Sequence, residues 1–322
     1  VNITTNNTAG GLFRYCGSTA NNPLFTLEIN DLSTTQSSNT IYTIDWGDSS
    51  LNYSASNLPN ATQHTFTQQG LFNIIVSVTG SNNCIAVDTF QFFNGNNPSV
   101  GLSTLGSTVS CNPGAFELPI ASTTNNPPGT EYTVTVNDGS SQITYTQSSV
   151  PSSYFHTFDS TSCGINTPNY DDAFKVDIIA TNACGSSTAT VEPIRIYEPP
   201  IADFNITPND TNCTNQTFTF DEDSTPGSYF FNNGCISNYS VEWNIIPNNT
   251  ANYTINSGSL NNSSFTATFQ PGTYTIRLIA DNLITTACAP DTIEKQICVV
   301  PIPQSSFTID NDFGCLPHTA TL

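Results

Sequence analysis

Residues 42–48 read YTIDWGD, and the reading of that stretch decides the fold. Apolar and polar residues alternate as in a strand with one wetted face, and the run stops on Gly47-Asp48, a turn pair. It holds one of only two tryptophans in the chain, with two carboxylates beside it. Asp45 and Asp48 next to an aromatic ring would suit a metal or sugar site. The same letters suit a strand that buries its ring and then turns.

Two echoes decide between these. YTVTVNDG (132–139) and YSVEWNI (239–245) repeat the Tyr, the hydroxyl residue and the β-branched residue, then place Val or Trp where Trp46 stands. A site would need its acids in every copy, and the third copy has lost Gly-Asp. A sandwich needs only the buried side chains, so the stretch reads as a third strand and its exit turn. Asp48 is left to a local role in the first copy.

The echo extends in both directions with a period of about 100 residues, the signature of a repeat array. HTF (64–66) matches HTF (156–158) and ATF (267–269). The runs LFNIIVSV (71–78), AFKVDIIA (173–180) and TYTIRLIA (273–280) follow. Pro and Asn cluster at NGNNPSV (94–100), YEPPIADF (197–204) and VPIPQSSF (300–307). These divide the chain into repeats at 1–98, 99–199 and 200–303. Residues 304–322 resemble the opening of the third repeat and so begin a fourth. Each repeat offers about seven short strands, the pattern of an immunoglobulin-like sandwich. The predicted fold class is all-β: tandem immunoglobulin-like sandwiches arranged end to end. Trp46 and Trp243 are expected to plug the core from the third strand, with Val136 in that place in repeat two.

Ten cysteines without a CxxC pair point to disulfides and an oxidising, extracellular place. One cysteine opens each repeat (Cys16, Cys111, Cys213) and one follows its long apolar run (Cys84, Cys184, Cys288). The near-constant spacing predicts Cys16–Cys84, Cys111–Cys184 and Cys213–Cys288. Each would close a loop of about 70 residues, worth roughly 4 kcal/mol in the chain-entropy picture. Cys315 would open the fourth repeat, its partner lying outside these residues.

Charge narrows the function. Twenty-five acids against five Lys and Arg give −20, yet only 9% of residues are charged, so Asn, Ser and Thr wet the surface. Such a chain repels phosphate backbones and anionic membranes, which argues against nucleic acid as partner. No apolar run reaches membrane-spanning length, so direct membrane insertion is not expected. The chain starts on Val1, holds no Met and carries no signal peptide, so it reads as a mature or internal piece.

Catalysis finds little to work with. His64 and His156 share one repeat position beside a strand-opening Phe, a structural setting, and His318 lies in the fourth repeat. No HExxH, nucleophile elbow, P-loop or dinucleotide turn occurs. The acid pairs Asp45/Asp48 and Asp171/Asp172 lack the placement across a cleft that acid–base work needs. No enzyme and no cofactor is expected. Asp221, Glu222 and Asp223 form the densest acidic cluster and are the candidate for Ca²⁺, although no spaced ligand pattern accompanies them. For polysaccharide, the recurring Tyr42, Tyr132 and Tyr239 read as packing. Tyr170 and the run Tyr229-Phe230-Phe231, in segments special to one repeat, are the candidates for a sugar platform, with packing the favoured reading of Phe230 and Phe231.

Trp46-Gly47-Asp48 followed by the Gly70–Val78 run resembles the PKD domain family, whose strand pair reads G-x-Y-x-V-x-L-x-V. Phe72 stands for the Tyr. Pro271-Gly272-Thr273-Tyr274-Thr275-Ile276-Arg277-Leu278 is a closer match, while Trp243-Asn244-Ile245 departs from the WGD turn. Repeat two, with Asn137-Asp138-Gly139 and an insertion at 159–172, matches least. Cysteine-paired, Asn- and Thr-rich units joined by short Pro linkers are similar to the repeats of giant Bacteroidota surface proteins, notably gliding-motility adhesins. That resemblance implies export through the type IX system and O-glycans at Asp-Ser/Thr motifs, here Ser160, Ser224 and Thr292. In such a sandwich the loop holding Cys163 faces the C-terminal end and the loop holding Cys235 the N-terminal end, so stacked repeats would allow an inter-repeat Cys163–Cys235 bridge. The alternative is Cys235–Cys298 within repeat three. The expectation is a non-enzymatic extracellular stalk of an adhesin whose partners are neighbouring repeats. The alternatives are a polysaccharide-binding PKD array of a secreted hydrolase, or a self-assembling filament.

Overall fold

The computed structural model describes residues 1–5, 13–58, 61–283 and 287–308, with Phe313, Cys315 and Pro317. It is all-β: tandem sandwiches, each closed around its own core. In the first, a five-stranded sheet runs in the order Arg14–Tyr15, Ile85–Asn94, Gly70–Gly80, Asn39–Asp45, Tyr53–Ala55. It faces a three-stranded sheet of Ile3–Thr5, Phe25–Asp31 and Thr62–Phe66. The neighbours pair antiparallel except Arg14–Tyr15, which runs parallel to the end of Ile85–Asn94.

The alternation at 71–78 does what a half-buried strand requires. Phe72, Ile74, Val76 and Val78 point inward, and Leu71 and Ile75 point to solvent. Leu27, Ile29, Ile44, Phe66 and Phe92 complete a core with no exposure at these positions. Burying one such side chain is worth roughly 1.5–3 kcal/mol, so the inward letters of the sequence carry the fold.

The second sandwich repeats this plan. Its larger sheet runs Val109–Cys111, Gly185–Tyr197, Phe174–Asn182, Glu131–Val136, Ile143–Thr146, and faces Ser153–Phe158, Gly114–Ala121 and Gly101–Leu102. Leu118, Tyr132, Phe158, Val176 and Ile178 fill its core.

The third sandwich differs in one strand. Tyr253–Gly258 pairs with Ser264–Phe269 in the smaller sheet, leaving four strands on each side. Its register also departs from the sequence echo. Ile44 lies opposite Val76, whereas Trp243 lies opposite Leu278. Val76 and Leu278 hold the same place, six residues beyond Gly70 and Gly272. Trp243 therefore stands where Ile44 stands, two residues from the place of Trp46. The side-chain period of a strand is two, so a two-residue offset keeps the ring on the core face. Trp243 is 1% exposed and packs edge-on against Phe204 and Phe265.

Two compact units divide the chain, residues Val1–Ile196 and Tyr197–Leu322, and the first contains two of the sandwiches. Among the described residues of 304–322 there is no strand. His318 lies outside the described residues.

Candidate functional site

The DWGD turn is a clasp. Asp45 Oδ1 accepts the Gly47 amide at 2.9 Å, and Asp48 Oδ1 accepts the Ser50 amide at 3.0 Å. Asp48 Oδ2 meets His64 Nε2 at 2.8 Å. The His64 ring lies flat on Trp46, centroids 4.4 Å apart and planes 8° from parallel. Gly47 holds φ +73°, and a Cβ there would fall 2.5 Å from the Asn73 carbonyl oxygen. Only glycine fits that approach without strain.

Repeat two builds the same clasp from different neighbours. Asp138 Oδ2 meets His156 Nε2 at 2.6 Å, and Tyr154 rather than a tryptophan lies alongside the imidazole. In repeat three, Ile245 stands at the structural place of Trp46 and Ala267 echoes His64, and the indole N–H of Trp243 donates to the Asn262 carbonyl at 2.8 Å. Burial alone would raise the Asp48 and Asp138 carboxyls. Hydrogen bonds from the following serine and from the histidine outweigh it and hold both below the usual carboxylate range.

Of the recurring tyrosines, Tyr42 and Tyr132 are buried and Tyr239 is half-buried. The Tyr42 hydroxyl donates to Asp31 Oδ2 at 2.9 Å, and Tyr239 makes the corresponding bond to Glu222 Oε1 at 2.9 Å. Burial, then the Glu222 carboxylate, pushes the Tyr239 phenol up to about 12. Tyr239 reaches its partner although the strand beneath it is offset by two residues.

The acidic cluster does not converge. Asp221 accepts from Ser264, Glu222 turns inward to Ser224 and Tyr239, and Asp223 accepts from Asn205. Adjacent strand residues point to opposite faces, which separates these carboxylates. Among the described residues no three His, Cys, Asp or Glu side chains are grouped to hold a metal.

The sugar-platform candidates divide. Tyr229 is 1% exposed and packs against Tyr197, correcting its reading as a surface ring, while Tyr170 and Phe231 are about 40% exposed. Of the proposed glycan acceptors, Ser160 and Thr292 are exposed. The Ser224 hydroxyl is occupied, accepting the Asp203 amide at 3.1 Å and donating to the Asp203 carbonyl at 3.3 Å.

The cysteines overturn the expected pairing. Cys16 is bonded to Cys184, 168 residues away, with Cα atoms 5.6 Å apart. Cys84 and Cys213 are free, so Cys16–Cys84, Cys111–Cys184 and Cys213–Cys288 do not form. The reason is the length of a strand. The opening cysteine sits beside the end of the last strand of its repeat, where Asn94 pairs with Gly70. The closing cysteine follows the far end of that strand pair, beyond Gly80. Ten residues of strand put those ends roughly 33 Å apart, against the 7 Å or less that a disulfide spans. Cys111, Cys163, Cys235 and Cys288 are also disulfide-bonded. Cys298 is free, which removes the alternative Cys235–Cys298 bridge.

Cys16–Cys184 sits at a built joint between the first two sandwiches. Cys184 is in the hairpin turn joining Phe174–Asn182 to Gly185–Tyr197, and Cys16 leaves the short parallel strand. Arg14 Nη1 donates to the Ala183 carbonyl at 2.8 Å, and Asn182 Nδ2 to the Asn96 carbonyl at 3.1 Å. Gly129, at φ +94°, brings its backbone so close that a Cβ would lie 3.2 Å from Leu71 and 3.3 Å from Phe93. Closing a loop of 168 residues is worth about 5 kcal/mol in the chain-entropy picture. That exceeds the ~1 kcal/mol of either hydrogen bond.

No family profile and no curated protein matches the chain. Among solved structures it is similar to extracellular domains 3–5 of Drosophila OTK, at 10% identity and TM-score 0.31, over 87% of this chain and 92% of that one. It is similar to the D1–D4 ectodomain fragment of ICAM-5 at 10% identity and TM-score 0.32, over 97% and 80% respectively. It is similar to a Ca²⁺-stabilized adhesin of an ice-binding Antarctic bacterium at 10% identity and TM-score 0.30, over 88% and 70%. Sheet orders and cores define the class: tandem immunoglobulin-like β-sandwiches. The first two are stapled to each other.

Proposed function

We propose that the chain is a non-enzymatic extracellular stalk, a run of PKD-like repeats that carries an adhesin and bears load along its length. The observation that supports this most is the Cys16–Cys184 bond, which ties one sandwich to the next. A bond between the two sheets of one sandwich stabilises that sandwich alone. A bond across a joint also fixes direction. The disulfide-bonded cysteines suit an oxidising place outside the cell. The resemblance to gliding-motility adhesins of Bacteroidota and to export by the type IX system belongs to this proposal. So do O-glycans on the exposed Ser160 and Thr292, and neighbouring repeats as the partners in place of nucleic acid or lipid.

Force spectroscopy on the chain held by its ends tests the reading. The staple hides 168 residues from the load, so adding reductant should release at least roughly 550–600 Å of further contour length, more where the other bonded cysteines open with it. Equal release with and without reductant would contradict a load-bearing joint. Binding of polysaccharide, lost on changing Tyr170 to Ala, would favour the array of a secreted hydrolase.

A further inference from the structure

The smaller sheet of the second sandwich ends on Ser153–Phe158, which pairs with Gly114–Ala121 on one side and with no described residue on the other. The Ile120 amide donates to the Ser152 carbonyl at 2.8 Å. Antiparallel partners exchange their bonds at every second pair. Tyr154, His156 and Phe158 therefore face Gly114–Ala121, while Ser153, Phe155 and Thr157 turn their backbone groups outward. No described residue hydrogen-bonds those outward groups. An open edge is a template for another strand, and folded proteins blunt it with Lys, Pro, charge or a bulge. This edge carries none of them: it reads SYFHTF and its register is unbroken over six pairs.

The third sandwich shows what fits there. HTF at 156–158 echoes ATF at 267–269, so Thr266 and Thr268 hold the places of Phe155 and Thr157. In the third sandwich Tyr253–Gly258 covers that edge, with Thr254 opposite Thr268 and Ser257 opposite Thr266. The counterpart in the second, Ile143–Thr146, pairs with Glu131–Val136 in the larger sheet and leaves the edge bare. The side chains mark the same place. Phe155 is 69% exposed, opposite Glu117 on the outer face. Ala115, Glu117, Phe155 and Thr157 line a shallow recess of about 390 Å³ there. In the first sandwich Gln63 stands in that place and donates to Glu28 at 3.2 Å. In the third, Thr266 and Ser257 share a hydrogen bond of 2.8 Å. The second sandwich instead holds an apolar ring out to solvent beside an open edge.

We infer that the edge Ser153–Phe158 is a β-addition site for an extended, basic peptide segment of another protein, one aliphatic residue of which covers Phe155. Charge selects the occupant. Glu117 stands beside the ring, the recess holds no Lys or Arg, and the chain carries −20. A cationic strand is attracted to such a surface and an acidic one repelled. A second copy of this chain is a poor occupant, because its five Lys and Arg all lie in strands that are already paired. Backbone pairing along the edge supplies affinity, and Phe155 with Glu117 supplies the choice of side chains. This goes beyond the stalk reading and does not rest on it.

The test adds to the whole chain a short capped peptide of Val and Thr, with one Lys two residues from its central Val, and follows hydrogen exchange at single amides. At saturating peptide the amides of Ser153, Phe155 and Thr157 should slow roughly tenfold, while those of Tyr154, His156 and Phe158, already paired, stay as they were. Phe155→Gln, which copies the first sandwich, should weaken binding roughly fivefold and leave the melting temperature unchanged. The same peptide N-methylated at every amide should not bind. Equal slowing along Thr62–Phe66, binding that survives Phe155→Gln or N-methylation, or exchange unmoved at millimolar peptide would each overturn the site. So would slowing of the outward amides on raising the concentration of the chain alone, which would give the edge to a second copy. Cellohexaose shifting the Phe155 ring resonances where the peptide does not would give the ring to sugar and overturn it as well.

Discussion

At the residue scale, Asp48 and Trp46 divide the work that the opening stretch suggested. Trp46 is core, 3% exposed beneath His64, and Asp48 is the far side of a histidine clasp. Burial of the tryptophan was legible, because a large apolar residue at an inward strand position has one place to go. The clasp was not, because Asp48 and His64 meet only after two strands fold across the core. The echo of His64 at His156 carried the signal, had it been read jointly with Asp138. Two carboxylates held low give a signed prediction. A depressed carboxylate contributes stability above its unfolded value near 4 and loses it as pH falls through the folded value. The pair Asp48→Asn with Asp138→Asn should therefore lower the melting temperature at pH 7. Its deficit against the unsubstituted chain should shrink steadily as pH drops from about 4 to 2. Calorimetry across that range reads it, and a deficit independent of pH would contradict ionised clasps.

At the element scale, the strand pair Gly70–Gly80 and Ile85–Asn94 explains what the sequence disclosed and what it concealed. The run 71–78 was legible as a strand; which face is inward was not, because Leu71 and Ile75 on the solvent side are as apolar as Phe72, Ile74, Val76 and Val78 on the core side. The period of two concealed the offset in repeat three, because a shift of two residues changes no face. The cysteines misled for a related reason. A constant interval between opening and closing cysteines follows from repetition itself, whichever repeat supplies the partner. The distance along the intervening strand was the signal that separates the choices. With the staple at the joint, Cys16→Ser should lower the melting temperature of the unit Val1–Ile196 by roughly 10 °C, taking about 2–4 °C per kcal/mol. Cys84→Ser should leave it within about 1 °C. Equal effects would contradict the assignment of the bond.

At the scale of the whole molecule, the composition sets the terms. A chain with five basic residues and mostly neutral polar surface has no attractive field for polyanions. Its acids pair locally, as Asp203 does with Lys295 at 2.8 Å, instead of gathering at a site. The repeat architecture was readable because three copies of a pattern are hard to produce by chance. How the copies are tied was not, because covalent connectivity depends on which ends meet. The account stands on that connectivity. The most direct measurement is mass spectrometry of the denatured, unreduced chain after digestion with trypsin and then chymotrypsin. Cleavage at Lys175 and Arg195 isolates Cys184 on a fragment of its own. The account predicts that this fragment is recovered bonded to the short peptide beginning at Cys16 and released from it by reductant. Recovery of Cys16 bonded to Cys84, with Cys184 on Cys111, would contradict it.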